Sequence, residues 1–183
     1  ADEESRADAA HRLFRDPTSD FLTLLRIWEK FHQAQATLKS QGKMRKYCRE
    51  HYLSWRRMRE WKDIYDQIRR IGREEEKAEG KGGKKAISVP ADLNAAVHRS
   101  ILSGYLSGIA EKKEKNLYSA TRGREAMLFP GSGLFSSGGS WIVAAEMVET
   151  SRLFARTAAN IQCEWIEALA GDLCTSTYSE PHW

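Results

Sequence analysis

No apolar run in the 183 residues approaches the ~20 that a helix needs to cross a bilayer. No signal peptide opens the chain, which starts Ala1-Asp2-Glu3-Glu4, acidic where a secretory leader is basic and then apolar. The absence of an initial methionine and the abrupt ending at Glu180-Pro181-His182-Trp183 read as a piece of something longer. Cysteine is scarce too. Cys48, Cys163 and Cys174 are too few and too scattered for a disulfide framework, which points to a reducing compartment.

Catalytic motifs are equally missing. The glycine cluster GSGLFSSGG (131–139) lacks the Gly-Lys-Ser/Thr ending that lets a phosphate loop hold a nucleotide, so it reads as turns between strands. Ser132 would need glycine at 130 to sit in a nucleophile elbow, and that residue is Pro130. Cys48-x-x-His51 is half of a zinc site without a matching half. No catalytic residue and no metal site is expected in this chain, and its histidines show no triad spacing.

What is present is charge, unevenly spread. The composition is 41% hydrophobic and 30% charged, that of a globular protein, with a net charge of +4. Residues 43–62 carry a local +6, and residues 140–183 a local −4. A polyanion-facing half and an opposite half fit this asymmetry, as does a merely solvated helix face.

Asp16-Pro17-Thr18-Ser19-Asp20 is a turn and helix cap, with Ser19 or Asp20 placed to accept orphan N–H groups. A helix over 17–38 follows, burying Phe21, Leu24, Leu25, Trp28 and Phe31. Gly42 breaks it; a second helix runs over roughly 43–71 until Gly72. GREEEKAEGKGGKK has almost nothing to bury and reads as a mobile linker. Beyond it come a helix over Val97 to Ala110, about five short strands broken by Arg-Gly, Pro-Gly and Gly-Gly, and a short helix from Glu164 to Leu173.

The stretch YLSWRRMREWKDIYDQIRRI (52–71) combines basic residues and tryptophans. At 100° per residue, Leu53, Met58, Trp61, Ile64, Tyr65, Ile68 and Ile71 fall in one apolar arc. Arg56, Arg59, Lys62, Asp66 and Arg70 lie outside it, with Trp55 among them, while Arg57 projects into the arc. Arginines beside an aromatic suit a single-stranded nucleic acid, the cations on phosphates and the ring on a base. Trp55 and Arg59 would serve equally as a cation–π pair at a seam with the β-rich unit.

The run Tyr47-Cys48-Arg49-Glu50-His51-Tyr52-Leu53-Ser54-Trp55-Arg56 resembles the helical ratchet domain of DEAH-box RNA helicases, whose pattern there is aromatic-Cys-x-acid-His-aromatic-Leu-Asn-Tyr-Arg. DPTSDFLTLLRIW (16–28) resembles the start of that domain in the bacterial HrpA-type members. SILSGYLSGIA, FPGSGLF, WIVAAEMVETSRLFARTAANI and EWIEALA are similar to the family's C-terminal oligonucleotide/oligosaccharide-binding (OB) fold, and TYSEPHW to its continuation. The resemblance implies an α+β chain: a lead-in over 1–15, a helical ratchet domain over 16–72, a linker over 73–92, a helix-flanked five-stranded OB barrel over 93–175, and a tail over 176–183 leading to a further domain.

It also implies a parent enzyme, a cytoplasmic ATP-dependent RNA helicase whose RecA-like motor domains hold ATP and magnesium. This chain has no nucleotide-binding motif and is expected to need no cofactor. Its expected role is to bind single-stranded RNA and help enclose it against those motor domains. Arg56 matches the family's arginine; Ser54 stands where asparagine is usual, and Arg57 and Trp61 are bulkier than the pattern. Arg152 and Arg156 match family positions on adjoining OB strands. The expected RNA-contacting set is Arg49, Ser54, Trp55, Arg56, Arg57, Arg59, Arg122, Arg124, Arg152 and Arg156. The competing expectation is a scaffold that docks the motor domains, or a regulatory protein on the OB fold, without touching RNA.

Overall fold

A computed structural model describes residues 2–78 and 91–174. The chain divides into two compact units, one from residues 1–14 and 25–89, the other from 15–24 and 90–183. The expected tail and residues 79–90 of the expected linker lie outside the described residues.

The first unit is helical: α1 (Asp2–His11), most of α2 (Asp20–Leu38), α3 (Gln41–Glu50) and α4 (Trp55–Ala78). Phe31, Met44, Cys48 and Met58 are buried at its centre, with Leu53, Tyr47, Trp55 and Trp61 packed around them. Cys48 of the half zinc motif therefore sits in the core, and burial pushes its thiol pKa up.

The single helix expected over 43–71 is two helices. Gly42 lies inside α3 rather than breaking the chain, and the break falls after Glu50. There Leu53 N–H bonds the Cys48 carbonyl at 2.8 Å and Tyr52 N–H bonds that of Arg49 at 3.2 Å, the two reversed bonds of a Schellman ending. That ending needs a left-handed residue, and Tyr52 supplies it at φ 53°. Glycine would take that conformation without strain, but the Tyr52 side chain is only 36% exposed and its packing would be lost. Tyr52→Gly is expected to leave α3 intact and to destabilise by about 1–2 kcal/mol, lost side-chain burial and added chain entropy outweighing the relieved strain. A urea unfolding midpoint checks it.

Two further differences concern α4. It runs through Gly72 to Ala78, because Arg73, Glu74, Glu75 and Lys77 are good helix formers that outweigh one glycine's cost of about 1 kcal/mol. The apolar arc is covered only at its start. Ile64, Ile68 and Ile71 are 55%, 64% and 53% exposed, and Tyr65, 43% exposed, meets the Trp28 ring at 4.9 Å.

The second unit is a closed barrel of β1 (Ile109–Lys112), β2 (Leu117–Ala120), β3 (Glu125–Leu128), β4 (Trp141–Glu149) and β5 (Leu153–Asn160), ordered β1-β2-β3-β5-β4. All neighbours are antiparallel except β3 and β5. Alanines 110, 120, 126, 144, 155 and 158 fill much of the interior, as a narrow barrel requires, around Tyr118, Leu128, Leu134 and Ile142. Outside, α5 (Leu93–Gly104) and α6 (Cys163–Ala170) contribute Leu102 and Ile166 to a second cluster with Val143 and Ala159. The helix expected over Val97 to Ala110 stops at Gly104; a 3-10 turn over Leu106–Gly108 leads into β1.

Residues 16–24, expected in the helical domain, pack instead with this barrel. Ser19 caps α2 by accepting Leu22 N–H, and its hydroxyl lies 2.7 Å from Nε2 of the buried His98. The other expected cap, Asp20, turns to the barrel. Its carboxylate accepts from Ser132 Oγ at 2.6 Å, Gly133 N at 2.7 Å and Ala158 N at 2.9 Å. Thr157, left-handed at φ 52°, kinks β5 immediately before Ala158. Gly133 allows the close approach, since a Cβ there would meet the Asp16 carbonyl at 2.3 Å.

Candidate nucleic-acid interface

In the helical unit the expected residues fall at the α3–α4 junction. Arg49, Arg56, Arg57 and Arg59 are all exposed. Arg57 thus avoids the apolar arc, because that arc is filled only near Leu53, Met58 and Trp61. Arg56 Nε bonds Glu60 at 2.9 Å on the open surface, a pair worth little in water. Arg57 and Arg59 have no ion pair among the described residues. The Ser54 hydroxyl faces the start of α4 and accepts Arg57 N–H at 3.4 Å. Trp55 is not simply an aromatic on the charged side. It packs on the core, 6.1 Å from the Phe31 ring, and its remaining surface lines a cavity of about 190 Å³ with Gln35, Lys39 and Met44.

In the barrel unit, strand register builds a more compact site. Leu117, Met127, Phe154 and Val148 are successive partners across β2, β3, β5 and β4, each half-buried. Alternation along each strand sends their neighbours Tyr118, Leu128 and Ala155 inward, leaving this row on the outer face. Phe129, just past β3, meets Phe154 edge-on at 6.1 Å and remains 36% exposed. The Arg156 guanidinium carbon lies 4.6 Å over the Phe129 ring. Arg152 Nη1 approaches Met127 Sδ at 3.2 Å. Glu146 is the register partner of Arg156, yet the two form no ion pair among the described residues. The result is two exposed cations set around an aromatic and thioether surface.

Arg122 and Arg124 do not join this group. They flank Gly123 at the β2–β3 turn and line a separate cavity. Sequence reasoning missed Met127, Phe129 and Phe154. Phe129 had a weak signal, an aromatic immediately before the Pro-Gly turn, but only β3–β5 pairing brings it to Phe154 and Arg156. Among the described residues no three His, Cys, Asp or Glu side chains gather to hold a metal ion, and no helix is long and apolar enough to cross a membrane.

A closed five-stranded barrel in the order 1-2-3-5-4, with a solvent-facing row across β2 and β3, is the OB architecture. Residues 97–173 match the oligonucleotide/oligosaccharide-binding (OB)-fold family, and the barrel unit is an OB-fold domain. Over its whole length the chain is 41% identical to the ATP-dependent RNA helicase HrpA of Escherichia coli, and it aligns at 38% identity with the HrpA homolog of Haemophilus influenzae. It is 25% identical, over 92% of its length, to the pre-mRNA-splicing factor ATP-dependent RNA helicase prp22 of Schizosaccharomyces pombe. These matches bear out the resemblance to HrpA-type helicases. The chain spans 13% of the length of each of these three relatives.

Proposed function

We propose that this chain is an accessory single-stranded RNA-binding module of an ATP-dependent DEAH-box RNA helicase. On this reading the helical unit is its ratchet domain, and RNA is enclosed against RecA-like motor domains that carry ATP and magnesium in a cytoplasmic parent protein. The observation that carries it is the Arg152–Arg156–Phe129 group on the outer face of an OB barrel. Guanidinium groups neutralise phosphates, and an exposed ring or guanidinium plane stacks on unpaired bases without sequence preference. Arg49, Arg56, Arg57 and Arg59 give the helical unit a cationic surface of its own.

A salt series tests it. The 183-residue chain is expected to bind a single-stranded RNA 12-mer weakly, with log K falling by roughly 0.7 per log salt for each phosphate neutralised. A parallel series with DNA of the same sequence reads the sugar preference. Affinity independent of salt, or no binding at low salt, would defeat the reading.

The second reading is a protein-docking module. It is favoured by the Ile64–Ile68–Ile71 stripe, an apolar helix face left open among the described residues. Association with separately produced motor domains without RNA binding would support it.

A further inference from the structure

The cavity at Arg122 and Arg124 is walled by backbone features the RNA-binding reading does not use. Strand β1 pairs with β4 only along Trp141–Val143. Past Val143 the edge of β4 is bordered instead by the turn at Leu106–Gly108. Gly108 lies so close that a Cβ would stand 2.1 Å from the Ala144 carbonyl oxygen. Thr121 Oγ1 donates to the Ser107 carbonyl at 3.1 Å and ties the β2–β3 turn to the same place. Between them opens a cavity of about 300 Å³.

Its lining has a definite chemistry. Arg122 and Arg124 are exposed and form no ion pair among the described residues. Glu125, the nearest acid in sequence, is held by Lys113 at 2.6 Å. Among the described residues no carboxylate lines the cavity; Ala144 and Met147 give it apolar surface, and Tyr105, 44% exposed, adds an aromatic ring. Arg122 also sits in the left-handed region at φ 63°, followed by Gly123 at φ 68°. Glycine or asparagine would occupy that position more easily, and a long cation kept there costs about 1 kcal/mol of backbone strain.

We propose that this cavity takes one nucleoside monophosphate unit, its phosphate held by Arg122 and Arg124 and its base against Tyr105. The volume is at the lower end of ligand clefts, roughly 300–1,000 Å³, which suits a single nucleotide. Paired guanidinium groups are matched to phosphate oxygens. The proposal rests on the nucleic-acid reading for its source of nucleotide, which is either a residue of a bound strand or a free mononucleotide.

The test uses the intact chain in NMR titrations with adenosine monophosphate, adenosine, inorganic phosphate and a single-stranded RNA 12-mer. Adenosine monophosphate is expected to shift the amides of Tyr105 and residues 121–124 more than adenosine or phosphate alone. A response to the 12-mer only would identify the strand as the source. Arg122→Gly with Arg124→Gln is expected to weaken binding about tenfold and to lower the RNA salt slope by roughly 0.7, the loss of one phosphate contact. The first change relieves the turn, so an unchanged melting temperature would exclude misfolding as the cause. If RNA binds but the double variant matches wild type and no cavity amide moves, the cavity assignment is overturned while the RNA reading stands. If RNA does not bind at low salt, that reading fails, and the mononucleotide titration still decides the cavity.

Discussion

Asp20→Ala is expected to destabilise the barrel unit by about 3 kcal/mol or more, as much as the truncation of a large core side chain. The carboxylate accepts three hydrogen bonds at once, two of them from the backbone of Gly133 and Ala158. Bonds to a charged group contribute roughly 1.5–3 kcal/mol each, though members of one network do not add fully. Alanine would leave two backbone donors without their partner beside a strand already kinked at Thr157. Ser132→Ala removes only the hydroxyl bond and is expected to cost about 1 kcal/mol. Asp20→Asn keeps an acceptor but turns an NH2 group toward a donor, so it should fall between the two. Urea unfolding, with amide exchange at Gly133 and Ala158, reads all three. An alanine variant within about 0.5 kcal/mol of wild type would show that the clamp contributes nothing.

That clamp also marks the limit of what the sequence makes legible. Local signals worked where the cause is local. Turn dipeptides separated five short strands, and Asp16-Pro17-Thr18-Ser19 announced a cap that Ser19 does provide. The identity of Asp20's partners, more than a hundred residues away, has no local trace. Helical periodicity likewise reports which residues share a face, not whether anything covers it. Leu53, Met58 and Trp61 find α2 and α3, while Ile64, Ile68 and Ile71 continue the same arc and stay exposed. The break after Glu50 was hidden because its left-handed position holds Tyr52 instead of glycine.

The candidate site divides along the same line. Each arginine was visible as an arginine, and the structure leaves all of them exposed. Their grouping was not visible, because it follows from register. Arg156 reaches Phe129 only because Leu128 pairs with Ala155 in the parallel β3–β5 ladder. Arg122 and Arg124 are separated from that group by the course of β2 into β3, which no composition argument could foresee.

Charge reversal at two places should therefore have unequal effects. Arg152→Glu with Arg156→Glu is expected to lower single-stranded RNA affinity at low salt at least tenfold and to reduce the salt slope by roughly 1.4, the loss of two phosphate contacts. Arg156 also holds the Phe129 ring, so Phe129→Ala should itself cost about 1–3 kcal/mol of binding while leaving the slope unchanged. Arg56→Glu with Arg59→Glu is expected to act more weakly, because neither guanidinium lies over an exposed aromatic ring as Arg156 lies over Phe129. The comparison separates the two surfaces by salt slope as well as by affinity. Equal losses would make the helical unit a full partner in binding. A large loss at Arg56 and Arg59 with none at Arg152 and Arg156 would move the strand off the barrel, and with it the observation on which the RNA-binding reading stands.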